Sequence, residues 1–302
     1  MNLFTDSKLK VVLNTMRPSF LVLTPACVLL GFSTSIISGT PIDSSLLVLV
    51  LAGAIFAHIC VNMLNEYFDF KSGLDFKTVK TPFSGGSGAL PNNPNIANLV
   101  LTLGLTSLFI TIAIGIYFIF ITGPHIIPIG LVGLALIITY TQLLNRFPFL
   151  CLIAPGLGFG VLMVVGTHII LSAESSALVW QVSLIPFFLT NNLLLLNQYP
   201  DIKADASVGR NTFPIAFGIA KSNIVYAIFM IATYSLILFY VLAGYLPIMS
   251  VVALFPLALS VFALFGAIKH KSSIGDAPQY LAANVAATII TPVLLTISIL
   301  YS

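Results

Sequence analysis

Charged side chains are scarce in this sequence: Asp, Glu, Lys and Arg together make up 7% of its 302 residues. Soluble globular domains carry about 25% charged residues, so this scarcity excludes an ordinary soluble protein. Hydrophobic residues reach 58%, and the mean hydropathy is +1.08. The composition therefore predicts an integral membrane protein surrounded by membrane lipid, and we expect no nucleic-acid partner.

Cysteine is also rare, with single residues at Cys27, Cys60 and Cys151. They lie in or beside apolar segments, and their spacing fits neither a metal site nor a disulfide framework. We interpret them as small buried hydrophobic residues. Near the N-terminus, charged residues precede an apolar run as long as a membrane span, and many more such runs follow. That pattern argues against a cleaved signal peptide.

Long apolar runs are what the sequence has in abundance. A helix needs about 20 apolar residues to cross the hydrocarbon core of a bilayer. Runs of that length predict nine spans, near residues 20–38, 46–64, 96–118, 126–144, 152–171, 179–196, 224–242, 251–268 and 282–300. The predicted fold class is all-α, a polytopic membrane protein with a single transmembrane domain over residues 1–302.

The basic residues all fall on one side of the predicted membrane. Because successive connections alternate between the two sides, each charge can be assigned to a side. The side that contains the N-terminus takes all 12 basic residues: Lys8, Lys10, Arg17, Lys71, Lys77, Lys80, Arg146, Lys203, Arg210, Lys221, Lys269 and Lys271. Of the nine acids, only Asp43 and Glu174 fall on the other side. The positive-inside rule makes the first side cytoplasmic, with the N-terminus inside and the C-terminus outside.

A short polar motif occurs twice, each time at the end of an apolar run. Residues 65–71 read "NEYFDFK" and residues 197–203 read "NQYPDIK", so four of seven positions agree. The matched pairs are Asn65 with Asn197, Tyr67 with Tyr199, Asp69 with Asp201 and Lys71 with Lys203. The motifs close the second and sixth predicted spans, so both emerge on the same side. We expect them to face each other across one cavity, as two copies of a parallel repeat.

The spacing within the two motifs indicates a site for a hard cation. Asn62, Asn65 and Asp69 would lie on one helix face, and the four-residue steps from Asn197 to Asp201 and Asp205 would do the same. Amide and carboxylate oxygens suit Mg²⁺, which binds through one or two carboxylates together with substrate phosphates. Nearby cations could neutralise the remaining phosphate charge: Lys77, Lys80, Lys203 and Arg210. Solvated loop charges would explain a single acid and lysine, but they do not explain a duplicated motif.

These residues resemble the UbiA superfamily of intramembrane prenyltransferases. The resemblance rests on Asn65, Glu66, Asp69 and Asp75 in the first motif and on Asp201 and Asp205 in the second. The stretch "RPSFLVLTPACVLLG" from Arg17 is similar to the family's first helix, and "YT" at 140 with "GLG" at 156 is similar to the menaquinone-type branch. Glu66 stands where the family usually has Asp. Phe159 stands where that branch tends to have an acid.

The resemblance implies a fold, a reaction and roles for individual residues. It implies nine helices around a central cavity, and transfer of a polyprenyl group from polyprenyl diphosphate to an aromatic acceptor. The catalytic residues would be Asp69, Asp75, Asp201 and Asp205, which with Asn65 and Asn197 would hold Mg²⁺, as two ions. Substrate contacts would come from Asn65, Asn197, Lys77, Lys80, Lys203, Arg210, Tyr140, Arg146 and Arg17.

The acceptor and the setting follow less directly from the residues. The motif pattern favours 1,4-dihydroxy-2-naphthoate and menaquinone synthesis, with 4-hydroxybenzoate, homogentisate, a porphyrin or a lipid alcohol as alternatives. The predicted location is the cell inner (cytoplasmic) membrane, with the active site toward the cytoplasmic side. The glycine-rich stretch 82–88 is either a cap whose amides approach phosphate or a plain loop.

Two other classes use comparable residues. A secondary transporter also has repeats and intramembrane polar groups, but its coupling acids tend to lie near the membrane midplane, whereas these gather at one face. A CDP-alcohol phosphatidyltransferase also groups aspartates, but its Asp-Gly-x-x-Ala-Arg pattern is absent from this sequence. Asn191 and Asn192, within the sixth span, are interpreted as bonding neighbouring helices.

Overall fold

The computed structural model describes residues 6–37, 39 and 43–302. Residues 1–5, 38 and 40–42 lie outside the described residues, and with them the last residue of the first predicted span. The described residues form helices joined by short connections, with no β-strand among them. The predicted all-α class is confirmed.

The helices are labelled in chain order. A short helix α1 (Asp6–Thr15) precedes the others. Eight helices of the described chain are long and apolar enough to cross a membrane: α2 (Pro18–Ile37), α3 (Ser44–Ser72), α4 (Pro94–Thr122), α6 (Pro148–Ser172), α7 (Ala177–Asn197), α8 (Phe213–Leu242), α9 (Ile248–Asp276) and α10 (Pro278–Leu300). A shorter apolar helix, α5 (Pro124–Thr139), lies between α4 and α6. The chain is a multi-pass membrane protein.

Helix α5 corresponds to the fourth predicted span, residues 126–144. Its α-helical part covers 13 residues, which is about 20 Å at 1.5 Å per residue, less than the roughly 30 Å of a hydrocarbon core. Eight of the nine predicted spans therefore have a counterpart long enough to cross. A crossing by α5 stays a prediction, and so does the side on which the N-terminus lies.

The long helices pack side by side into a closed ring. Each helix from α3 to α10 is in contact with the next one along the chain, through α5 between α4 and α6, and α10 packs on α2, which packs on α3. Helix α2 also reaches α6, and α10 reaches α7. The motifs at the ends of α3 and α7 are thereby held within one ring.

The half of the ring formed by α7 to α10 has a filled interior. Tyr226 donates a hydrogen bond to Asn284 Oδ1 at 2.9 Å, and the Asn192 amide donates to the Tyr226 carbonyl at 3.0 Å. Tyr234 Oη and Ser260 Oγ are 3.1 Å apart. Polar groups buried in a membrane helix need such partners. These bonds hold the four helices together.

Two glycines let α6 and α7 approach closely. A Cβ on Gly156 or Gly160 would overlap the backbone of Phe187 in α7. Residues Gly156–Met163 form a π-helical stretch of α6, and the Gly156 amide donates to Asn191 Oδ1 at 2.6 Å. The interpretation of Asn191 and Asn192 as interhelical bonding residues is confirmed.

Candidate active site

The first acidic motif lies at the end of α3. This helix continues past residue 64, the predicted end of its span, to Ser72. Asn62, Asn65 and Asp69 therefore lie on one helix face and line the same cavity, as their spacing predicted. Gly73 ends the helix in the left-handed conformation, with φ at 77°, which glycine adopts without steric cost. The 3₁₀ turn that follows brings Asp75 to the cavity.

The second acidic motif is not one continuous helix. Helix α7 ends at Asn197, and a separate short helix, Ile202–Ala206, carries Asp205. The uninterrupted helix assumed for the four-residue steps is therefore wrong. Pro200 lies in the turn between the helices and, having no N–H, cannot donate a helical hydrogen bond. Asn197, Asp201 and Asp205 nevertheless all line the cavity.

Both motifs open onto one cavity of about 650 Å³. Its polar end is lined by the four aspartates Asp69, Asp75, Asp201 and Asp205, and by Arg17 and Arg210. Four carboxylates face two guanidinium groups there. When ionised, the lining therefore carries an excess of negative charge. Most of the remaining wall consists of apolar side chains from α3, α4, α5 and α6.

Arg210 joins the two motifs directly. Its guanidinium pairs with Asp69 through Nη2 and with Asp205 Oδ1 at 2.9 Å through Nη1. The two carboxylates come from sequence positions more than a hundred residues apart, so this contact depends on the tertiary fold. It holds the ends of α3 and of the short helix at one point.

A glycine loop, residues 81–88, lies over both motifs. The Ser87 amide donates to Glu66 Oε1 at 2.8 Å, and the Ser87 hydroxyl donates to Glu66 Oε2 at 2.5 Å. The Gly85 amide donates to Asp201 Oδ2 at 3.1 Å. Arg17 Nε also donates to Glu66 Oε1, at 2.8 Å. Ser87 thus anchors the loop to the fully buried Glu66 carboxylate of the first motif. The Gly85 amide anchors it to the Asp201 carboxylate of the second motif.

Three buried oxygens at the polar end of the cavity have no hydrogen-bond partner among the described residues. They are Asp75 Oδ2, Asp201 Oδ1 and Asn197 Oδ1. A buried polar atom without a partner costs free energy. Two of the three belong to the predicted carboxylate ligands and the third to a predicted amide ligand, and oxygens of these two types are ligands that a hard cation would accept.

Burial raises the pKa of two of these carboxyls. The pKa of Asp75 rises to about 7, first because of burial and then because Glu66 and Asp69 lie nearby. The pKa of Asp201 also rises to about 7, through burial and the charge of Asp205. Such shifts are common where a site awaits an opposite charge.

The donor set is compatible with Mg²⁺ but does not enclose a metal. No group of three or more His, Cys, Asp or Glu side chains in the described part of the chain converges closely enough to hold an ion. Mg²⁺ keeps several waters and is bound through one or two carboxylates plus phosphate oxygens. An incomplete site of hard oxygen ligands is therefore what a metal shared with a diphosphate requires.

Four of the predicted basic contacts lie away from the cavity. The described side chains of Lys77, Lys203 and Arg146 are exposed and do not line it, and Lys77 donates to Ser207 Oγ at 3.2 Å. Lys80 bonds the Ser87 carbonyl and lines a smaller pocket beside the glycine loop. Arg17, Arg210, Tyr140, Asn65 and Asn197 do line the cavity.

Glu66, Ser87 and Gly85 were not among the predicted site residues. The sequence placed Glu66 inside the first motif and the other two in a glycine-rich stretch. Glu66 and Ser87, which are hydrogen-bonded, lie 21 residues apart in the sequence. Gly85 and Asp201, which are also hydrogen-bonded, lie 116 residues apart. No local spacing rule links such positions.

Comparison with known sequences gives one family and several relatives. Residues 23–291 match the UbiA prenyltransferase family. The 1,4-dihydroxy-2-naphthoate octaprenyltransferase of Bacillus subtilis (strain 168) is 28% identical over 186 residues, which cover 59% of this chain and 56% of the relative. The chain thus matches little more than half of that relative's length. The protein of the same name from Haemophilus influenzae is 26% identical over 240 residues, covering 74% of this chain and 75% of the relative.

Comparison with solved structures gives the same fold. A UbiA homolog from Archaeoglobus fulgidus, solved bound to DMAPP and Mg²⁺, superposes with a TM-score of 0.64. The two chains are 15% identical, and the superposition covers 92% of this chain and 98% of the other. At this identity the likeness shows the fold.

Proposed function

Because the chain belongs to the UbiA prenyltransferase family, we propose that it transfers a polyprenyl group from polyprenyl diphosphate to an aromatic acceptor. One observation carries the proposal. Two acidic motifs, distant in sequence, open onto the polar end of one cavity whose remaining wall is largely apolar. A diphosphate with a long hydrocarbon tail has the same division into a charged head and an apolar body.

The diphosphate head would bind at the polar end together with Mg²⁺. Asp69, Asp75 and Asn65 would hold one ion and Asp201, Asp205 and Asn197 the other. When bound, Mg²⁺ supplies positive charge that stabilises the leaving diphosphate. The unpartnered oxygens of Asp75, Asp201 and Asn197 support this assignment.

Two arginines and the glycine loop would orient the head. Arg210 and Arg17 line the same end of the cavity, and guanidinium groups bind phosphate oxygens in a bidentate way. Arg210 would exchange at least one of its carboxylate partners for a phosphate oxygen when the donor binds. Gly85 and Gly86 lie beside Asp201 and Asp75, so the loop would cover the head and exclude water.

The apolar wall would protect the reacting carbon. As the allylic C–O bond breaks, its electron pair leaves with the diphosphate, and the carbon gains cationic character. Phe159 and Tyr140 line the cavity, and aromatic faces stabilise a cation within about 6 Å. An electron-rich carbon of the acceptor ring then forms the new C–C bond, and the ring regains aromaticity when that carbon loses the group it carried, a proton to water or a carboxylate as CO₂.

The acceptor we propose is 1,4-dihydroxy-2-naphthoate, in menaquinone synthesis. The two bacterial relatives that carry this name support it, and 4-hydroxybenzoate or homogentisate would undergo the same chemistry. We further propose that the protein lies in the cell inner membrane with this polar end toward the cytoplasm. The concentration of basic residues in the predicted cytoplasmic segments supports that orientation.

The decisive experiment measures pyrophosphate release by the purified protein in nanodiscs. Geranylgeranyl diphosphate would be supplied with each acceptor in turn, with and without Mg²⁺. We expect release that needs both Mg²⁺ and one aromatic acceptor. Absence of release with every acceptor, from protein shown to be folded, would contradict the proposal.

Substitutions of the acids provide the matched test. Asp69→Asn and Asp201→Asn should each lower turnover on the order of a hundredfold, because each removes charge from the metal site. Asp276→Asn is the control, since Asp276 is exposed and does not line the cavity. Normal prenyl transfer by either site variant would overturn the assignment of these acids.

A further inference from the structure

One histidine lines the cavity at a distance from the aspartates. His58 lies on α3 seven residues before Asn65, which is about 10 Å along a helix, and its side chain lines the cavity. The other cavity-lining residues of α3 between positions 50 and 61 are apolar: Val50, Gly53, Ala54, Ala57 and Val61. His58 therefore places a polar group in an otherwise apolar stretch of the wall, and the steps proposed above do not use it.

Two contacts fix the His58 ring. Its Nδ1 lies 2.8 Å from the hydroxyl oxygen of Thr24 in α2. Phe159 of α6 packs against the ring edge to face, with the ring centroids 4.6 Å apart and the ring planes at 70°. Phe159 belongs to the π-helical stretch of α6, and such stretches are frequent at functional sites. Contacts from two neighbouring helices therefore hold the imidazole in one orientation.

The contact with Thr24 assigns the proton on the imidazole. Thr24 is 0% exposed, and its hydroxyl has no other hydrogen-bond partner among the described residues. Because a buried hydroxyl proton without an acceptor costs free energy, the hydroxyl donates to His58 Nδ1. An imidazole that accepts at Nδ1 carries its proton on the other nitrogen. His58 Nε2 is therefore a hydrogen-bond donor.

This donor is free to bind a ligand. His58 is only 5% exposed and lines the cavity, and its Nε2 has no partner in the part of the chain that the structure describes. A buried donor needs a partner. The hydrocarbon tail of a prenyl donor offers no acceptor atom, and its diphosphate would lie at the aspartates, beyond Asn65. The partner of Nε2 must therefore come from the other substrate.

We propose that His58 determines which aromatic acceptor the protein uses, by donating a hydrogen bond from Nε2 to a hydroxyl oxygen on the acceptor ring. The inference rests on the proposed function, because the acceptor is a substrate of that reaction. An acceptor without this hydroxyl would leave the buried donor unpaired. A site built on such a hydrogen bond discriminates strongly against the analogue that lacks it. Thr24 and Phe159 are positioning residues for the imidazole.

Two substitutions of His58 separate the bond into the cavity from the contact with Thr24. In His58→Gln the amide nitrogen takes the place of Nε2 and still donates into the cavity, whereas in His58→Asn it takes the place of Nδ1 and reaches only toward Thr24. The assay uses nanodiscs, saturating geranylgeranyl diphosphate and the acceptor that wild type turns over fastest, 1,4-dihydroxy-2-naphthoate in our proposal.

The expected result is a loss confined to the acceptor. The kcat/KM for the acceptor should fall about tenfold or more in His58→Asn, and by less in His58→Gln. The KM for geranylgeranyl diphosphate should stay within about twofold of the wild-type value in both variants. A role in holding the helices together through Thr24 predicts the opposite order, because only the asparagine keeps that contact.

A second histidine of the same kind provides the matched control. His168 Nδ1 lies 3.0 Å from the hydroxyl oxygen of Thr34, also in α2, but His168 is 0% exposed and does not line the cavity. His168→Asn and His168→Gln should therefore keep the wild-type kcat/KM for the acceptor. Thr24→Val frees the His58 ring and should lower this kcat/KM, by less than His58→Asn does. Thr34→Val should leave it unchanged.

Binding gives a readout that needs no turnover. With geranylgeranyl thiolodiphosphate bound, which resists cleavage, the acceptor should raise the Tm of wild type and of His58→Gln because it binds the folded state. The added shift should be smaller in His58→Asn. An analogue of the acceptor without hydroxyl groups should give equal shifts in wild type and His58→Asn. A larger shift in wild type with that analogue would contradict the inference.

The outcomes separate this inference from the proposed function. Unchanged kcat/KM for the acceptor in His58→Asn, with active wild type, would overturn the inference and leave the proposed function standing. A loss in His58→Gln equal to or larger than that in His58→Asn would also overturn it, and so would a raised KM for the donor. If wild type releases no pyrophosphate with any acceptor, the proposed function fails and the inference fails with it.

Discussion

Arg210 and the four aspartates set the electrostatics of the cavity. One guanidinium pairs with carboxylates from both motifs, while Asp75 and Asp201 each keep a buried oxygen without a partner among the described residues. The arginines offset only part of the negative charge. Asp75 and Asp201 pair with neither arginine, and their pKa values are raised. Individual residues therefore prepare the site for further positive charge.

Magnesium binding should depend on pH near neutrality. Because the pKa of Asp75 and of Asp201 is raised to about 7 without metal, both carboxyls bind protons below that pH, and the proposed Mg²⁺ would have to displace them. The Mg²⁺ concentration for half-maximal activity should rise about tenfold per pH unit below 7 for each proton released. Titrations of activity with Mg²⁺ below, at and above pH 7 measure this, and a midpoint independent of pH would contradict it.

Without metal, the same raised pKa values of Asp75 and Asp201 should make the folded protein less stable as the pH rises. The ordinary Asp pKa is 3.8, so the folded state binds more protons than the unfolded state between that value and about 7. Stability then falls as pH rises through this window. Thermal unfolding without Mg²⁺ should show a lower Tm at pH 7 than at pH 5, and added Mg²⁺ should restore more of it at pH 7.

Among the structural elements, the glycine loop has one of its two anchors at a single buried carboxylate, Glu66; the other is Asp201. Glu66 accepts hydrogen bonds from Ser87 and Arg17 together. Its side chain is fully buried, so it has no water to replace a lost partner. The loop and the start of α2 are therefore fixed to α3 at the same point.

Glu66→Gln should loosen the glycine loop. The neutral amide cannot balance Arg17, and its NH₂ cannot accept from the Ser87 hydroxyl, at a cost of about 1–3 kcal/mol. Hydrogen exchange of residues 81–88 should become faster in this variant. Glu174→Gln makes the same change at an exposed acid in the connection between α6 and α7 and should leave that exchange unchanged. Equal protection of the loop in both variants would show that Glu66 does not anchor it.

The contact between α6 and α7 makes a second prediction at the level of elements. Gly160→Ala forces a methyl group into the backbone of Phe187 and should cost about 1–3 kcal/mol of stability. Gly158→Ala is the matched control, because a Cβ there meets only Leu136, at 3.9 Å. Thermal unfolding in detergent should give a lower Tm for the first variant only. An equal Tm in the two variants would argue against close packing at Gly160.

For the whole molecule, orientation and the role of α5 are linked. If α5 crosses, the chain has an odd number of crossings and the two ends lie on opposite sides; a partial insertion of α5 gives eight crossings. The basic residues then no longer fall on one side, because every connection after α5 changes sides. The positive-inside rule therefore favours a crossing by α5.

Cysteine labelling in intact cells tests that topology. The native residues Cys27, Cys60 and Cys151 are buried, so they give little background. Ser175 and Ser272 are both exposed, the first in a connection predicted outside and the second in one predicted inside. A membrane-impermeant thiol reagent should label Ser175→Cys and spare Ser272→Cys until the cells are opened. Labelling of both or of neither in intact cells would contradict the predicted topology.

The sequence alone determined the membrane class, most span positions and the acidic motifs. These follow from local quantities: hydropathy over about 20 residues sets a span, and helical periodicity sets which of Asn62, Asn65 and Asp69 share a face. Span limits were less exact, because α3 keeps its helical hydrogen bonds beyond the apolar run until Gly73 ends it. Hydropathy does not report where a helix ends outside the bilayer core.

Only the tertiary structure decided which side chains meet. It joined Arg210 to Asp69 and Asp205, Ser87 to Glu66, and Gly85 to Asp201, and it left Lys77, Lys203 and Arg146 away from the cavity. It also broke the second motif after Asn197. Such pairings depend on the packing of helices distant in sequence, and side-chain periodicity within one helix carries no information about the helix it will contact.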